Sequence, residues 1–445
     1  FTFLEIKNLK TMKLKYFYLF IGFVLSLNLP AQSVITLDQA VEIALKNNLD
    51  LQIAANDTKQ ADNNNHAGNA GMLPTVSLNV SENPSLSNIN QKFTNGTSIE
   101  KNGVSSNNLN AALVVSYTLF DGKKMFATRR KLEILDEAAQ NKFNSQVQTV
   151  ISNVILNYSN ITRLKEYLKV LDMLRELSQQ RLDIIGARQI AGLANNTDLF
   201  LAQLDLETRK QNINTQKSSI NKAYNSLNLV LNIKIDSLYG VEDVFKNVNV
   251  LDKNKMDELL RNNPDNQWAI NQYNIALQAQ KEIDAARLPL LKLNGAYNYT
   301  LSQSAAGFSL YNQSMGPQAG LSLVVPIFNG NINKSNSENA KLNVQSSEWK
   351  MALVKQNIEV AYEQAWQDYS TAKLQLSSDS LAVTTANKYM ELMQERFKLG
   401  QSTIIDLKEA QRTFEETNYR MISNWYIARI AETQLLLLTG QLIGK

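Results

Sequence analysis

The chain of 445 residues has no cysteine, one histidine and only seven prolines. Without cysteine there can be no disulfide, thiolate metal site, thiol nucleophile or lipid anchor on a lipobox cysteine. The one histidine, His66, sits in an Asn-rich polar stretch and reads as a solvated side chain, so histidine-based catalysis and metal binding have nothing to build on. Strong charge of one sign is missing too. Of the formal net charge of +4, Lys7, Lys10, Lys13 and Lys15 less Glu5 supply +3, which leaves about +1 for the remainder. Neutralising phosphates takes a basic patch, so no nucleic acid partner is expected. No G-x-S-x-G, H-E-x-x-H, Walker A or dinucleotide glycine pattern occurs, so neither an enzyme nor a bound cofactor or metal is expected. Beyond the N-terminus no apolar run is long enough to span a membrane as a helix.

Residues 1–31 read as upstream residues followed by a signal peptide. Met12 precedes basic Lys13 and Lys15, an apolar core runs from Tyr16 to Leu29, and Pro30-Ala31 come before Gln32. That core of about 14 residues is shorter than the roughly 20 a spanning helix needs, so export with Met12 as the start is the expectation.

What the chain does have is one design written twice. Asn47, Asn48, Asp50, Gln52 and Ala54 recur 215 positions later as Asn262, Asn263, Asp265, Gln267 and Ala269. Further on the shift is 208: Phe120-x-Gly122 returns as Phe328-x-Gly330, and Arg188, Gly192, Asp198-Leu199 and Ala202-Gln203 return as Arg396, Gly400, Asp406-Leu407 and Ala410-Gln411. Composition alone gives about one identity in a window as short as 188–203, far fewer than are seen. The expected organisation is a first repeat over 35–235, a connector over 236–255, a second repeat over 256–440 and a tail over 441–445.

Between Gly122 and Gly192 there is no proline, and apolar residues keep a heptad spacing, with Val150, Leu164 and Leu171 on one row and Val154, Ile161 and Leu168 on the other. The spacing predicts a helix roughly 100 Å long at about 1.5 Å per residue. Gly330 to Gly400 repeats it with a weaker seam of Ala361, Ala365, Leu374, Leu381 and Leu392. After each glycine a short polar turn leads into a second, antiparallel helix, so long hairpins are expected over 122–232 and 330–438. Elsewhere the period is two. Strands are predicted at about 73–81, 109–120, 289–302 and 318–328, each alternating apolar with polar residues, and polar loops at 82–107 and 303–317. The expected fold class is therefore α+β, predominantly helical and internally duplicated, with two long α-hairpins and four amphipathic strands. Such strands suit either a half-buried soluble sheet or the wall of an outer-membrane barrel; the signal peptide and the duplication favour the barrel. A sheet of four strands leaves open edges in lipid and must close with copies of itself into eight, twelve or sixteen strands.

Taken in order and twice over, these residues resemble the TolC-like outer-membrane efflux family across about 35–440. The opening Leu37-Asp38-Gln39-Ala40-Val41-Glu42-Ile43-Ala44-Leu45 through Asn47-Asn48-Leu49-Asp50 is similar to the family's N-terminal helix motif, with Leu49 where Pro is usual and Pro264 supplying that Pro in the second half. Leu119-Phe120-Asp121-Gly122 and Pro326-Ile327-Phe328-Asn329-Gly330 resemble its strand-to-helix junction. The resemblance implies a homotrimer in the outer membrane of a Gram-negative bacterium, with a twelve-stranded transmembrane β-barrel continuous with a periplasmic helical barrel. It also implies a periplasmic adaptor and an inner-membrane pump as partners, outer-membrane lipid around the barrel, and a passive exit duct. Two other readings stay beside efflux: a duct for type I protein secretion with the same fold, and, from another class, a periplasmic adaptor or structural coiled-coil protein.

By the same resemblance, Asp406 and Glu409 ring a narrow entrance at the far end of the helices, Asp198 is the first-half equivalent, and Phe397 lies near the closing contacts. Read from spacing alone, Asp406 and Glu409 are acids one turn apart at a helix start, where they favour the dipole. Gly192 and Gly400 read as left-handed helix caps. The resemblance makes these tips, Gly192-Leu193 and Gly400-Gln401, the surface that receives the adaptor. Leu399-Gly400-Gln401 departs from the family's tip pattern on both flanks, and Ser402 stands where familiar members carry an Arg, which implies a looser resting gate.

Overall fold

The computed structural model describes residues 33–234, 239–242 and 250–444. The expected signal peptide and much of the connector lie outside the described residues. In chain order the elements are β1 (Ser33–Ile35), α1 (Leu37–Asn47), α2 (Leu49–Asn64), β2 (Thr75–Lys92), β3 (Ser98–Phe120), α3 (Lys124–Ile190) and α4 (Asn196–Leu231). The second half follows with β4 (Tyr239–Val241), α5 (Lys253–Leu259), α6 (Pro264–Ala285), β5 (Leu290–Ser304), β6 (Tyr311–Val324), α7 (Ile332–Lys398) and α8 (Ile404–Leu438). α3 and α7 are each 67 residues long, about 100 Å at 1.5 Å per residue.

Two heptad rows hold the second hairpin together. On α7 one row places Tyr362, Tyr369, Met390 and Phe397 in the interior, and the other places Ala365, Ala372, Asp379, Ala386 and Met393 there. Rows three and four residues apart form the seam of a coiled coil, here against α8. This corrects the seam expected from sequence. Ala365 is interior, but Leu374, Leu381 and Leu392 are 72%, 71% and 57% exposed. Leu353, Val360, Leu374 and Leu381 share one heptad position opposite the seam, so α7 carries a second apolar face that is left exposed among the described residues.

α3 packs on α4 along one side and on α8 along the other, which joins the two hairpins. Three apolar clusters mark that junction. Val154, Tyr158 and Ile161 meet Leu227 and Leu231 at mid-height, with Tyr239 and Val241 of β4 laid over them. β4 pairs in parallel with β1, and the Tyr158 hydroxyl donates to Ile35 O (3.0 Å) while accepting from the Glu242 N–H (3.1 Å). Sequence reasoning read 236–255 as a plain connector and did not find this two-stranded sheet, because three-residue strands leave no periodicity. The second cluster joins Ile151 and Ile155 to Tyr362, Tyr369 and Leu435, and the third lies at the hairpin tips.

Above the helices a single antiparallel sheet runs in the order β2-β3-β5-β6. The expected loop over 82–107 is corrected: pairing continues through Lys92↔Ser98, and the turn is only Phe93–Thr97, with Gly96 at φ +86°. Beyond the apolar band the strands need no apolar face, so hydropathy alternation stops while the ladder goes on. Polar side chains pair across it instead, as in Asn107 Nδ2 to Glu82 Oε1 (2.7 Å) and the Ser85 and Ser106 hydroxyls (2.8 Å). The loop over 303–317 shortens in the same way, since β5 reaches Ser304 and β6 begins at Tyr311. The expected strand over 318–328 stops at Val324, two residues before Pro326, which has no N–H for a ladder.

Candidate functional site

Cross-strand partners share a face of a sheet, so the registers define both surfaces. One face carries Val76, Leu78 and Val80 of β2, paired with Val115, Leu113 and Ala111 of β3. It continues through Leu113↔Tyr297, Ala111↔Tyr299 and Tyr117↔Leu293 into β5, and through Leu293↔Leu321 and Tyr299↔Met315 into β6. Val76, Leu78, Val80, Met315 and Leu321 are all more than 60% exposed, an apolar surface running from edge to edge of the sheet. From Leu109 to Tyr117 it is about 27 Å long at roughly 3.4 Å per residue, close to the height of a bilayer's hydrocarbon core. The opposite face is polar, with the Ser116 hydroxyl donating to Asn294 Oδ1 (3.0 Å) and Asn298 Nδ2 to Gln318 Oε1 (3.2 Å).

At the other end, the two hairpins turn alike. Gly192 (φ +73°) and Gly400 (φ +78°) each follow a helix whose last carbonyls are closed by paired bonds. Leu193 N–H donates to Arg188 O (2.7 Å) and Gly192 N–H to Gln189 O (2.9 Å); Gln401 N–H donates to Arg396 O (2.8 Å) and Gly400 N–H to Phe397 O (3.1 Å). This is the Schellman closure, and a left-handed residue after the cap is what makes it possible. A Cβ on Gly192 would meet nothing within 4 Å, so conformation rather than space calls for glycine. Around these turns Ile190, Leu193, Leu399 and Ile405 are 70–90% exposed.

The four expected gate residues do not form one cluster. Asp406 closes a capping box at the start of α8, its carboxylate accepting from the Thr403 N–H (2.9 Å) and hydroxyl (2.7 Å) while Thr403 Oγ1 accepts from Asp406 N–H (3.2 Å). Those bonds hold its carboxyl below the ordinary range. Glu409 is gripped by Arg412, Nη2 to Oε1 at 2.7 Å and Nε to Oε2 at 3.1 Å, which lowers its pKa as well. Arg412 also reaches Glu416 (3.2 Å). Asp198 lies in the first turn of α4, its N–H donating to the Asn195 side chain (2.8 Å). Phe397 does not join them at the surface. It is 3% exposed, in the cluster with Ile185, Met393 and Leu407, and the Arg188 guanidinium lies 4.9 Å from its ring centre.

Sequence reasoning missed the charged residues behind this surface. Arg188 Nη2 donates to Phe397 O (2.5 Å), so a side chain of the first hairpin holds the last turn of α7 in the second. Its repeat counterpart Arg396 donates within its own turn, to Gln401 O (3.4 Å), and its charge helps to lower the Asp406 carboxyl. Two turns further in, Arg181 is buried, donates to Gln411 Oε1 of α8 (2.9 Å) and pairs with Asp205 of α4, which also accepts from Ser178 Oγ (2.8 Å). Burial drives the Arg181 pKa down more than its partner restores it. At Asp205 burial pushes upward, but the guanidinium and the Ser178 hydroxyl outweigh it and the carboxyl is lowered. Arg209 Nη1 and the Tyr167 hydroxyl both donate to Glu415 (2.6 and 3.1 Å), a second link from α4 and α3 to α8. Arg181 and Arg188 lie on the heptad row of Leu174, and a cation at a seam position calls for a buried partner; that was the available signal.

A sheet that is apolar on one face and set on paired helices of this length matches a known sequence pattern in both halves. The family model for outer membrane efflux proteins matches residues 40–232 and 256–441. The chain belongs to the outer membrane efflux protein family. It is 21% identical over 344 residues to the outer membrane protein TolC of Escherichia coli strain K12, covering 74% of this chain and 68% of TolC. Among solved structures the CmeC outer membrane channel of Campylobacter jejuni superposes with a TM-score of 0.79 at 19% identity, covering 91% of this chain and 85% of CmeC. The open state of the Neisseria gonorrhoeae MtrE outer membrane channel gives 0.69 at 19% identity, with 91% and 89% covered. As a member of this efflux family, which is not a family of enzymes, the protein resides in the outer membrane with its helical part in the periplasm.

Proposed function

We propose that the protein is the exit channel of a tripartite efflux system, in which three copies passively conduct solutes delivered by an inner-membrane pump through a periplasmic adaptor. One observation carries this reading: the apolar face is continuous across all four strands, while β2 and β6 each keep an unpaired side. An unpaired N–H or C=O facing lipid costs several kcal/mol, so the edges must pair with strands of other copies. β2 runs away from the helices and β6 back toward them, so β6 of one copy meets β2 of the next antiparallel, as in outer-membrane barrels. The apolar row of Leu353, Val360, Leu374 and Leu381 on α7 supplies the matching contact between helical hairpins. Three copies then give twelve strands, in keeping with the family resemblance.

Asp406, Glu409 and Asp198 form the periplasmic constriction in this reading, with Asp406 carrying most of its negative field because Arg412 offsets Glu409. Phe397 acts from behind the wall, as the anchor on which Arg188 closes. The tips at Gly192-Leu193 and Gly400-Gln401 receive the adaptor, to which Ile190, Leu193 and Leu399 offer apolar surface. The family's description as efflux proteins favours efflux over protein secretion. Because the chain has no cysteine, engineered disulfides give an unambiguous test. Pairs such as Ser77→Cys with Ser322→Cys, on the polar faces of β2 and β6, are expected to yield covalent dimers and trimers on oxidation in membranes. A scan of neighbouring β2 and β6 positions that gives monomer throughout contradicts the proposal.

A further inference from the structure

Charge is strongly segregated where the sheet meets the helices. Residues 121–131, 281–292 and 329–334 hold nine Lys and Arg against three acids, a net +6, although everything after residue 32 sums to about +1. The seam between α3 and α6 has two sides at this level. One side opens a cavity of about 760 Å³ lined by Lys124, Lys131, Glu282, Thr118 and Lys292, the last two on the polar face of the sheet. There Lys131 and Glu282 neutralise each other. The other side opens a cavity of about 780 Å³ lined by Lys123, Arg130, Lys281 and Arg287 together with Phe126 and Leu288.

On that second side the cations are poorly matched. Arg130 pairs with Glu133 in an exposed bridge (2.8 Å), and Arg287 Nη2 reaches only the Asn333 carbonyl (3.2 Å). The one acid lining the cavity, Asp284, accepts from the Ser337 hydroxyl (2.5 Å) and stands against the four cations Lys123, Arg130, Lys281 and Arg287. Phe126 and Leu288 are 61% and 47% exposed, just below the apolar face that ends at Phe120 and Leu291. From Lys123 to Arg130 the helix descends about 10 Å, enough to cross a headgroup layer of about 5–8 Å.

We propose that this outward groove between α3 and α6 binds the phosphate headgroups of anionic glycerophospholipids in the inner leaflet of the outer membrane. Phe126 and Leu288 take the glycerol and upper acyl carbons, and Lys123, Lys281 and Arg287 face the phosphate. The proposal rests on the reading of the sheet as a lipid-embedded wall. A basic rim directly beneath a membrane-embedded band attracts anionic lipid in this way, each Lys or Arg adding to the preference. It fixes the depth of the barrel, because sliding outward would drag the cations into hydrocarbon.

The test is native mass spectrometry of the full-length protein released from nanodiscs of phosphatidylethanolamine with a minority of phosphatidylglycerol. The wild type is expected to retain phosphatidylglycerol about fivefold above its bulk share, falling as salt rises. The variant Lys123→Gln/Lys281→Gln/Arg287→Gln is expected to retain it at bulk share, while Lys124→Gln/Lys292→Gln, on the opposite side, keeps the preference. Insertion into discs with no preference in the wild type overturns the lipid site and leaves the channel reading standing. Failure of the wild type to enter discs overturns the channel reading and the site with it. Because the wild-type preference and its salt dependence are read directly, the outcome does not depend on the triple variant folding.

Discussion

Replacing Arg181 by Ala removes a buried side chain that bonds to both α4 and α8 from inside the tip. Its guanidinium is fully buried and the Asp205 carboxylate is 17% exposed, so the variant strands a mostly buried charge. Breaking a buried pair from one side costs about 3–5 kcal/mol, and the residual exposure of Asp205 puts this case near about 3. A local free energy of about 3 kcal/mol corresponds to a roughly 150-fold change in the opening equilibrium. Hydrogen exchange resolved by mass spectrometry reads that equilibrium without requiring reversible unfolding of the whole assembly. Amides over 404–415 are expected to lose about two orders of magnitude of protection, whereas those near Leu435, in a different cluster, stay unchanged. The double variant Arg181→Met/Asp205→Leu is expected to regain most of the loss, since replacing both charges avoids the stranded carboxylate. The pH dependence follows from Asp205. Its carboxyl is lowered in the folded protein, so its contribution is complete above the unfolded value near about 3.9 and is lost as pH falls through the lowered one. In Arg181→Ala the largest lowering influence on the carboxyl is gone and only the Ser178 hydroxyl, Arg209 and Lys408 still oppose burial, so Asp205 is held less far down and the tip loosens at higher pH than in the wild type. Protection over 404–415 within twofold of the wild type would refute this account of how the hairpins are joined.

Three further outcomes are expected. Asp406→Asn with Glu409→Gln weakens block by multivalent cations in single-channel recordings, and unchanged block removes both residues from the constriction. Gly192→Ala, placed at φ +73°, costs about 1–2 kcal/mol of local stability at the first tip and weakens adaptor capture in pull-downs; full protection by hydrogen exchange at 188–193 would count against the cap. Leu374→Gln with Leu381→Gln, on the outer row of α7, lowers the temperature at which assemblies dissociate on semi-native gels, while a monomer-stability role predicts loss of helical signal before dissociation.

Much of this architecture is legible in the sequence because long elements repeat their period many times. The heptads from Val150 to Leu171 and the alternation from Leu109 to Leu119 each identify their element without help from tertiary context. The errors have the same physical root. Leu374 and Leu381 look like a seam because they are leucines seven apart, yet they lie on the face of α7 opposite the one that packs on α8, and hydropathy alone does not say which of two apolar rows is the inner one. The true inner row of Ala365, Ala372, Ala386 and Met393 is quieter, since close helix approach selects small side chains. Strand residues beyond the apolar band read as loop because backbone pairing leaves no trace in hydropathy. At the tips, local signals for Gly192, Gly400 and Asp406 were readable because caps are local. The grip of Arg188 on Phe397 and of Arg181 on Gln411 depends on which hairpins touch, which spacing within one hairpin does not encode.

Single-channel recording on the purified, detergent-solubilised protein in planar bilayers, with its mass determined beforehand, tests the central claim most directly. Sheets of three copies sealed into one lipid-embedded ring predict a trimeric mass and discrete, long-lived conductance steps. A monomer that stays in solution without detergent and leaves the bilayer silent would contradict it.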